Sequence, residues 1–488
     1  MMFLWIFLGL LGLFIVVTLI RAAFFKPEKV ETMPLTEESV DIDRYCTNLC
    51  DAIKIKTVSN YDRDLVDWAE FDKFHAFLEE RYPLIHKTMT KTKIADASLV
   101  FKWEGTDPSL YGIALLGHQD VVPIAEGTEK DWEHPPFDGV NDGEFIWGRG
   151  AMDMKNHLIA VMESVESLIA EGYQPKRTVY ICLGHNEEVV AAPDNGAKAI
   201  AKYFEEQGVH LEAVLDEGGA ILPATVKGVV DCNLAGVGIA EKGSVNYKIS
   251  VNAKGGHSSQ PPEHTALGHL ADVIKDIEKH QFKATMPDFV YDLFTSIGKR
   301  STYPAKLLFC NLWLLKPIVV KIMTKIPPAA SLIRTCTAVT MAQGSPQFNV
   351  LPQKASITVN FRTMPGVTFK DVEQHIKDSV RNKNIDIEFL VGKEASKVSP
   401  TDSKAFKVIK ELCESSNGKN LVAPFLVMGG TDSYNYENVC DNIYRFAPFV
   451  VNTGLLLCTH ATNERLPLDS IEEALKFFKR YVKRMTEN

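Results

Sequence analysis

The sequence predicts an α/β protein: a mostly parallel sheet flanked by helices, interrupted by an inserted α+β domain and preceded by a transmembrane helix. Three observations carry this. Between residues 99 and 215, apolar runs of strand length alternate with amphipathic helical stretches, the pattern of βαβ units. Near Gly236 the pattern changes: Val245, Tyr247, Ile249 and Val251 alternate with polar residues, the mark of a sheet with one wet face. Residues 1–20 contain no charge and are long enough to cross a bilayer core.

The chain of 488 residues is longer than one compact core usually holds. With 45% hydrophobic and 24% charged residues it has the composition of a globular protein. A net charge of −9 and the lack of a basic stripe exclude a nucleic-acid partner. The cysteine count is odd, 9, with no Cys-x-x-Cys, so these residues are expected reduced and buried. Cys46 and Cys50, one turn apart, are expected to share a helix face.

Taken in order, residues 1–24 read as an uncleaved anchor. No positive residue precedes the apolar run and no small-x-small cleavage site follows, which argues against a signal peptide. Arg21, Lys26 and Lys29 follow the run and place the folded body on the cytoplasmic side. Residues 25–40, with Pro27 and Pro34, form a linker. A first helix starts near Asp41, and Leu65, Trp68, Phe71, Phe74 and Leu78 mark a second, ended by Pro83.

The run 111–116 is a buried strand that ends in Gly117-His118-Gln119-Asp120. Gly148-Arg149-Gly150-Ala151-Met152-Asp153 opens a helix over 157–171. Strand 178–183 ends in Gly184-His185-Asn186-Glu187-Glu188, helix 195–207 follows, and strand 211–215 ends in Asp216-Glu217-Gly218-Gly219. These complete the first part of a catalytic domain, 41–235. The insertion, a lid or dimerisation domain, covers 236–365 and contains the turn Gly255-Gly256-His257-Ser258-Ser259, a helix over 265–280 and a strand over 357–361. Its apolar stretch 303–332 reads either as packing helices or as a hydrophobic lid or membrane-facing surface. The catalytic domain resumes over 366–488, with helices at 370–381, 403–414 and 468–484. Its loops are Met428-Gly429-Gly430-Thr431-Asp432-Ser433 and Cys458-Thr459-His460-Ala461-Thr462-Asn463-Glu464.

Open α/β sheets bind ligands beyond the carboxyl ends of their strands. Core packing does not put so many His, Asp and Glu residues there. His118, Asp153, Glu188, Asp216 and His460 are therefore the candidate metal ligands. Two imidazoles and three carboxylates suit zinc, with cobalt or manganese also possible. The set divides between two ions about 3.5–4 Å apart if one carboxylate bridges them. Of the adjacent Glu187 and Glu188, one can ligate while the other moves protons. His257, in the insertion, could donate to a developing oxyanion when that domain closes.

These motifs, in this order, resemble the dinuclear zinc amidohydrolases that include aminoacylase, carboxypeptidase S, glutamate carboxypeptidase and succinyl-diaminopimelate desuccinylase. The resemblance covers residue 41 to the C-terminus and is nearest to the carboxypeptidase S branch, which also holds N-fatty-acyl-amino-acid hydrolases. It implies that His118 and Asp216 hold one metal, Glu188 and His460 the other, and that Asp153 bridges. It implies further that Glu187 is the general base, Asp120 orients it, and His257 stabilises the oxyanion, in dimeric members from the neighbouring subunit. Asn349, Arg362, Gly429, Gly430 and Thr431 resemble substrate contacts. Two departures stand out. Asn186 occupies a position that is acidic in many members, and the apolar stretch 303–332 is foreign to short-lid members.

The expected function is a di-zinc hydrolase cleaving an amide, peptide or N-acyl, beside a free carboxylate. Its alternatives are an N-fatty-acyl-amino-acid hydrolase/synthase and, in a different class, a membrane-tethered binding protein without catalysis. The expected partners are a small peptide or N-acyl-amino-acid substrate, the membrane through the N-terminal segment, and a second copy in a homodimer.

Overall fold

A computed structural model describes residues 2–26, 35–189, 192, 194–381 and 384–487. The centre of the fold is a nine-stranded sheet. At its heart Val179–Gly184, Gly112–His118, Leu211–Asp216 and Ile443–Arg445 lie side by side, each pair parallel. The apolar runs read from the sequence are these strands, and every residue of Gly112–His118 is buried. Helices Ile42–Ile53, Lys155–Ala170, Lys404–Ser416 and Ile471–Thr486 cover one face. Gly196–Glu206 and the turn Asp432–Tyr436 cover the other.

The sheet is mixed rather than mostly parallel. Thr90–Ile94 and Ser98–Trp103 form an antiparallel hairpin, because a link over residues 95–97 is too short for a parallel crossover. Ser98–Trp103 then pairs antiparallel with Val179–Gly184, and Asn233–Glu241 does so with Ile443–Arg445.

A second, four-stranded antiparallel sheet is ordered Cys336–Gln343, Lys354–Thr363, Gly243–Asn252, Ile385–Lys393. Helices Ala266–Lys279 and Phe369–Ser379 pack on one of its faces. Boundaries at 236 and 365 therefore cut through both sheets. Asn233–Glu241 pairs within the large sheet, while Phe369–Ser379 and Ile385–Lys393, read as catalytic, belong with the small one. Lys242 alone separates the last strand of the large sheet from the first of the small one.

The apolar stretch forms Tyr303–Phe309, Leu312–Met323 and Pro327–Ser331, packed around Met286, Val290, Leu312, Val319, Met323 and Ile333. Helix Met2–Phe24 is long and apolar enough to span a membrane. The linker reading for residues 27–34 lies outside the described residues. Helix Ile42–Ile53 starts at the N-cap Asp41, whose carboxylate accepts from the Arg44 N–H (2.9 Å), and buries Cys46 and Cys50 together. Leu65 is not part of the second helix: Trp68–Arg81 begins after it and leaves it exposed, because Asp67 caps the helix and ends the apparent periodicity.

Candidate metal centre

The site is assembled at the carboxyl edge of the parallel strands. His118 is the last residue of its strand and is buried. Its Nδ1 lies 3.0 Å from the Asp120 carbonyl oxygen and 3.3 Å from the Asp120 carboxylate. That arrangement fixes the ring and leaves Nε2 facing inward, as expected for a metal-ligating histidine with an outer partner. Nε2 stands 3.2 Å from Asp153 Oδ1, and Asp153 Oδ2 is 2.9 Å from His460 Nε2. Asp153 thus turns one oxygen to each histidine. Glu188 completes the His460 side, with its oxygens 3.0 and 3.1 Å from Nε2.

On the His118 side the structure departs from expectation. Glu217, not Asp216, approaches His118 Nε2, at 3.5 Å. Both oxygens of Asp216 accept backbone N–H bonds, from Glu217 and Ser433 (2.9 Å each), so its carboxylate braces the strand end. Asp216 is still inside the sheet, whereas Glu217 is the first residue free to turn toward the site.

Asp120 is fully buried and joins the centre to the Glu187–Glu188 pair. It accepts the Ser59 hydroxyl (2.6 Å) and the backbone N–H groups of Glu187 and Glu188 (3.1 Å each). Burial pushes this carboxyl up, but bonds from His118 and Ser59 hold it below the usual carboxylate range. Glu187, His118 and Glu217 each place a potential donor atom within 4.8 Å of the others. Burial, with Glu217, Asp432 and Glu188 nearby, pushes Glu187 well above that range, against the pull of His118.

The donor set fits divalent cations. Burial together with the Asp153 charge raises Glu217 to about 8. Hydrogen bonds to Asp153 and Glu188 lift His460 to about 10. Asp432, missed as a site residue, is buried with Oδ2 unpartnered among the described residues. Its carboxylate fills the space beside Gly184, where any Cβ would collide with it. So many crowded carboxylates are tolerated when a cation offsets them.

Two further buried carboxylates act as braces. Glu464, four positions after His460, accepts from Arg149 (2.6 Å) and from the N–H groups of Gly150 (3.1 Å), Met152 (2.8 Å) and Asp153 (3.0 Å). It ties the loop of His460 to the loop of Asp153. Glu241 accepts from Arg445 (2.9 Å), Lys393 (3.1 Å) and Thr431 (2.8 Å). Thr431 is therefore turned into this buried network, while Gly429 and Gly430 are exposed.

The structure does not bring the remaining predicted residues to the centre. His257 is exposed and its Nδ1 contacts the Ser259 hydroxyl (2.7 Å). With Asn349 it lines a cleft of about 600 Å³ in the small domain. Arg362 is exposed on Lys354–Thr363. Among the described residues, no hydrogen bond or ion pair joins these three to the cage.

Two histidines sharing a carboxylate, with further carboxylates around them, define a metallohydrolase class of centre. Residues 114–484 match Peptidase family M20/M25/M40, and the chain belongs to it. It is accordingly a hydrolase of carbon–nitrogen bonds. It is 36% identical over 439 residues to "Probable carboxypeptidase S-like 2" of Dictyostelium discoideum, covering 89% of this chain and 84% of that one. It is 32% identical over 435 residues to "N-fatty-acyl-amino acid synthase/hydrolase PM20D1" of Xenopus tropicalis, covering 88% and 83%. In fold it resembles an M20 family metallo-carboxypeptidase of Sulfolobus solfataricus, with a TM-score of 0.63 at 16% identity, over 91% of this chain and 99% of that one.

Proposed function

We propose that the protein hydrolyses an amide adjacent to a free carboxylate, with two zinc ions held between His118, Glu217, Asp153, Glu188 and His460. The observation that carries this reading is the placement of Asp153, whose two oxygens face the two histidines at 3.2 and 2.9 Å. These residues would hold the cations, which when bound would polarise the scissile carbonyl and acidify an attacking water. Glu187 takes the proton from that water and returns it to the leaving nitrogen. Asp120 holds the backbone of Glu187, so the base is aimed rather than free. His257 donates to the oxyanion once the small domain, or a second subunit, brings it near.

The substrate class we favour is an N-acyl-amino acid with a lipophilic acyl group. The apolar helices of the insertion and the similarity to an N-fatty-acyl-amino acid synthase/hydrolase support it. We read Met2–Phe24 as a single-pass anchor. Glu187→Gln is expected to keep both zinc ions and lose about 10²–10⁴-fold in turnover. Metal analysis beside kinetics on that variant decides, and near-normal turnover rejects the base. A panel of acyl-amino acids and dipeptides tests the substrate, and preference for short polar dipeptides rejects the acyl reading. For the ligands, Glu217→Gln should lose one zinc, while Asp216→Asn should chiefly lose stability. The reverse result restores Asp216 as ligand.

A further inference from the structure

The helices between Ser301 and Thr335 carry a face that the fold does not cover. In Leu312–Met323 the inner positions Leu312, Val319 and Met323 are buried, which in a soluble protein leaves a polar outer face. Here the outer positions are Trp313, Leu314, Ile318 and Ile322, between 43% and 57% exposed. Leu308 and Ile326 extend the patch at either end. An apolar area of this kind marks an interaction surface.

Two observations identify its occupant. First, Lys306, Lys316, Lys321 and Lys325 are interleaved with the apolar residues, and no Asp or Glu occurs from Ser301 to Thr335 in a chain of net charge −9. Apolar residues flanked by lysines match an anionic phospholipid surface, with lysine stems reaching back to the headgroups. A symmetric contact with a second copy would instead set these lysines against each other. Second, Met2–Phe24 rests on the same patch. Phe14 packs edge-on against Trp313 (6.3 Å), Tyr303 Oη donates to the Leu19 carbonyl (3.0 Å), and Arg21 donates to that of Cys310 (3.4 Å). From Phe14 to the helix end at Phe24 is about 15 Å, half the thickness of a bilayer core.

We propose that residues 303–326 form a membrane-docking platform that enters the anionic leaflet of a phospholipid bilayer beside helix Met2–Phe24. Trp313 then lies at acyl-chain depth and Arg21 near the headgroups. This goes beyond the hydrolase reading, and its test uses no substrate. Full-length protein is placed in vesicles of phosphatidylcholine and phosphatidylserine whose acyl chains are brominated, a quencher of buried tryptophan emission. Trp103, Trp132 and Trp147 are buried in the protein, whereas Trp5 and Trp313 are exposed. Subtracting the emission of Trp313→Phe isolates Trp313, and Trp5→Phe isolates the helix. Most of the Trp313 emission should be lost in brominated vesicles and kept in unbrominated ones. Quenching of Trp5 with Trp313 unaffected overturns the platform and leaves the anchor standing. As a second probe, Ile318→Cys carrying an environment-sensitive dye should shift to the blue on vesicles. An unshifted dye, or a disulfide-linked dimer through that cysteine, rejects the proposal.

Discussion

At the edge of the large sheet His118, Asp153 and Glu188 are each held by a group outside the proposed ligand set, whereas in the small domain His257 and Asn349 stand exposed around an open cleft. Asp120 orients His118, and Glu464 grips the backbone of Asp153. Among the described residues the hydrogen bonds of the His257 ring go only to Ser259, its hydroxyl (2.7 Å) and its backbone N–H (3.2 Å). The difference separates two jobs. A cage that concentrates charge must be rigid before substrate arrives, because buried carboxylates without fixed partners are costly. Groups that close over a substrate must begin apart from the cage, so that the substrate can enter.

The largest effect is expected from a chelator: removing the divalent ions should abolish turnover, and zinc should restore it. Activity that survives complete metal removal would show that the cage is structural. Next, His257→Ala should lower kcat about 10²–10³-fold with metal content unchanged, the loss typical of an oxyanion donor. Metal loss in that variant would place His257 in the cage instead. Glu464→Gln should weaken metal binding about 10–100-fold, since outer partners commonly matter that much. Titration with a competing chelator measures it, and an unchanged affinity would leave Glu464 a fold brace only. The smallest effect is expected from Thr431→Val, about 1.5 kcal/mol of stability in denaturant, because Arg445 and Lys393 still hold Glu241.

Part of the cage was legible in the sequence because several of its residues follow the ends of strands. A buried apolar run fixes where a strand stops, and the residue just beyond it faces the site. This identified His118, Glu187 and Glu188; Asp153 and His460, on loops after Phe145–Trp147 and helix Thr453–Leu456, stood out by their motifs, and the structure gathers all five. The same rule failed by one position at Asp216, since nothing in Asp216-Glu217 says which residue is the last in the sheet. Asp432 and Glu464 lay in recognised stretches without a role, because bracing depends on which backbone amides another loop offers. The division into sheets was misread for a related reason. Residues 385–393 alternate like any exposed-face strand, and only pairing with Gly243–Asn252 assigns them to the small sheet.

The outgoing connection between the two sheets is one residue, Lys242, and its ammonium is clasped by the carbonyls of Ser331 (2.8 Å) and Arg334 (2.9 Å), where the apolar helices end. Its neighbour Glu241 fastens the Thr431 loop. Helices, small sheet and loop therefore converge on two adjacent residues, Glu241 and Lys242.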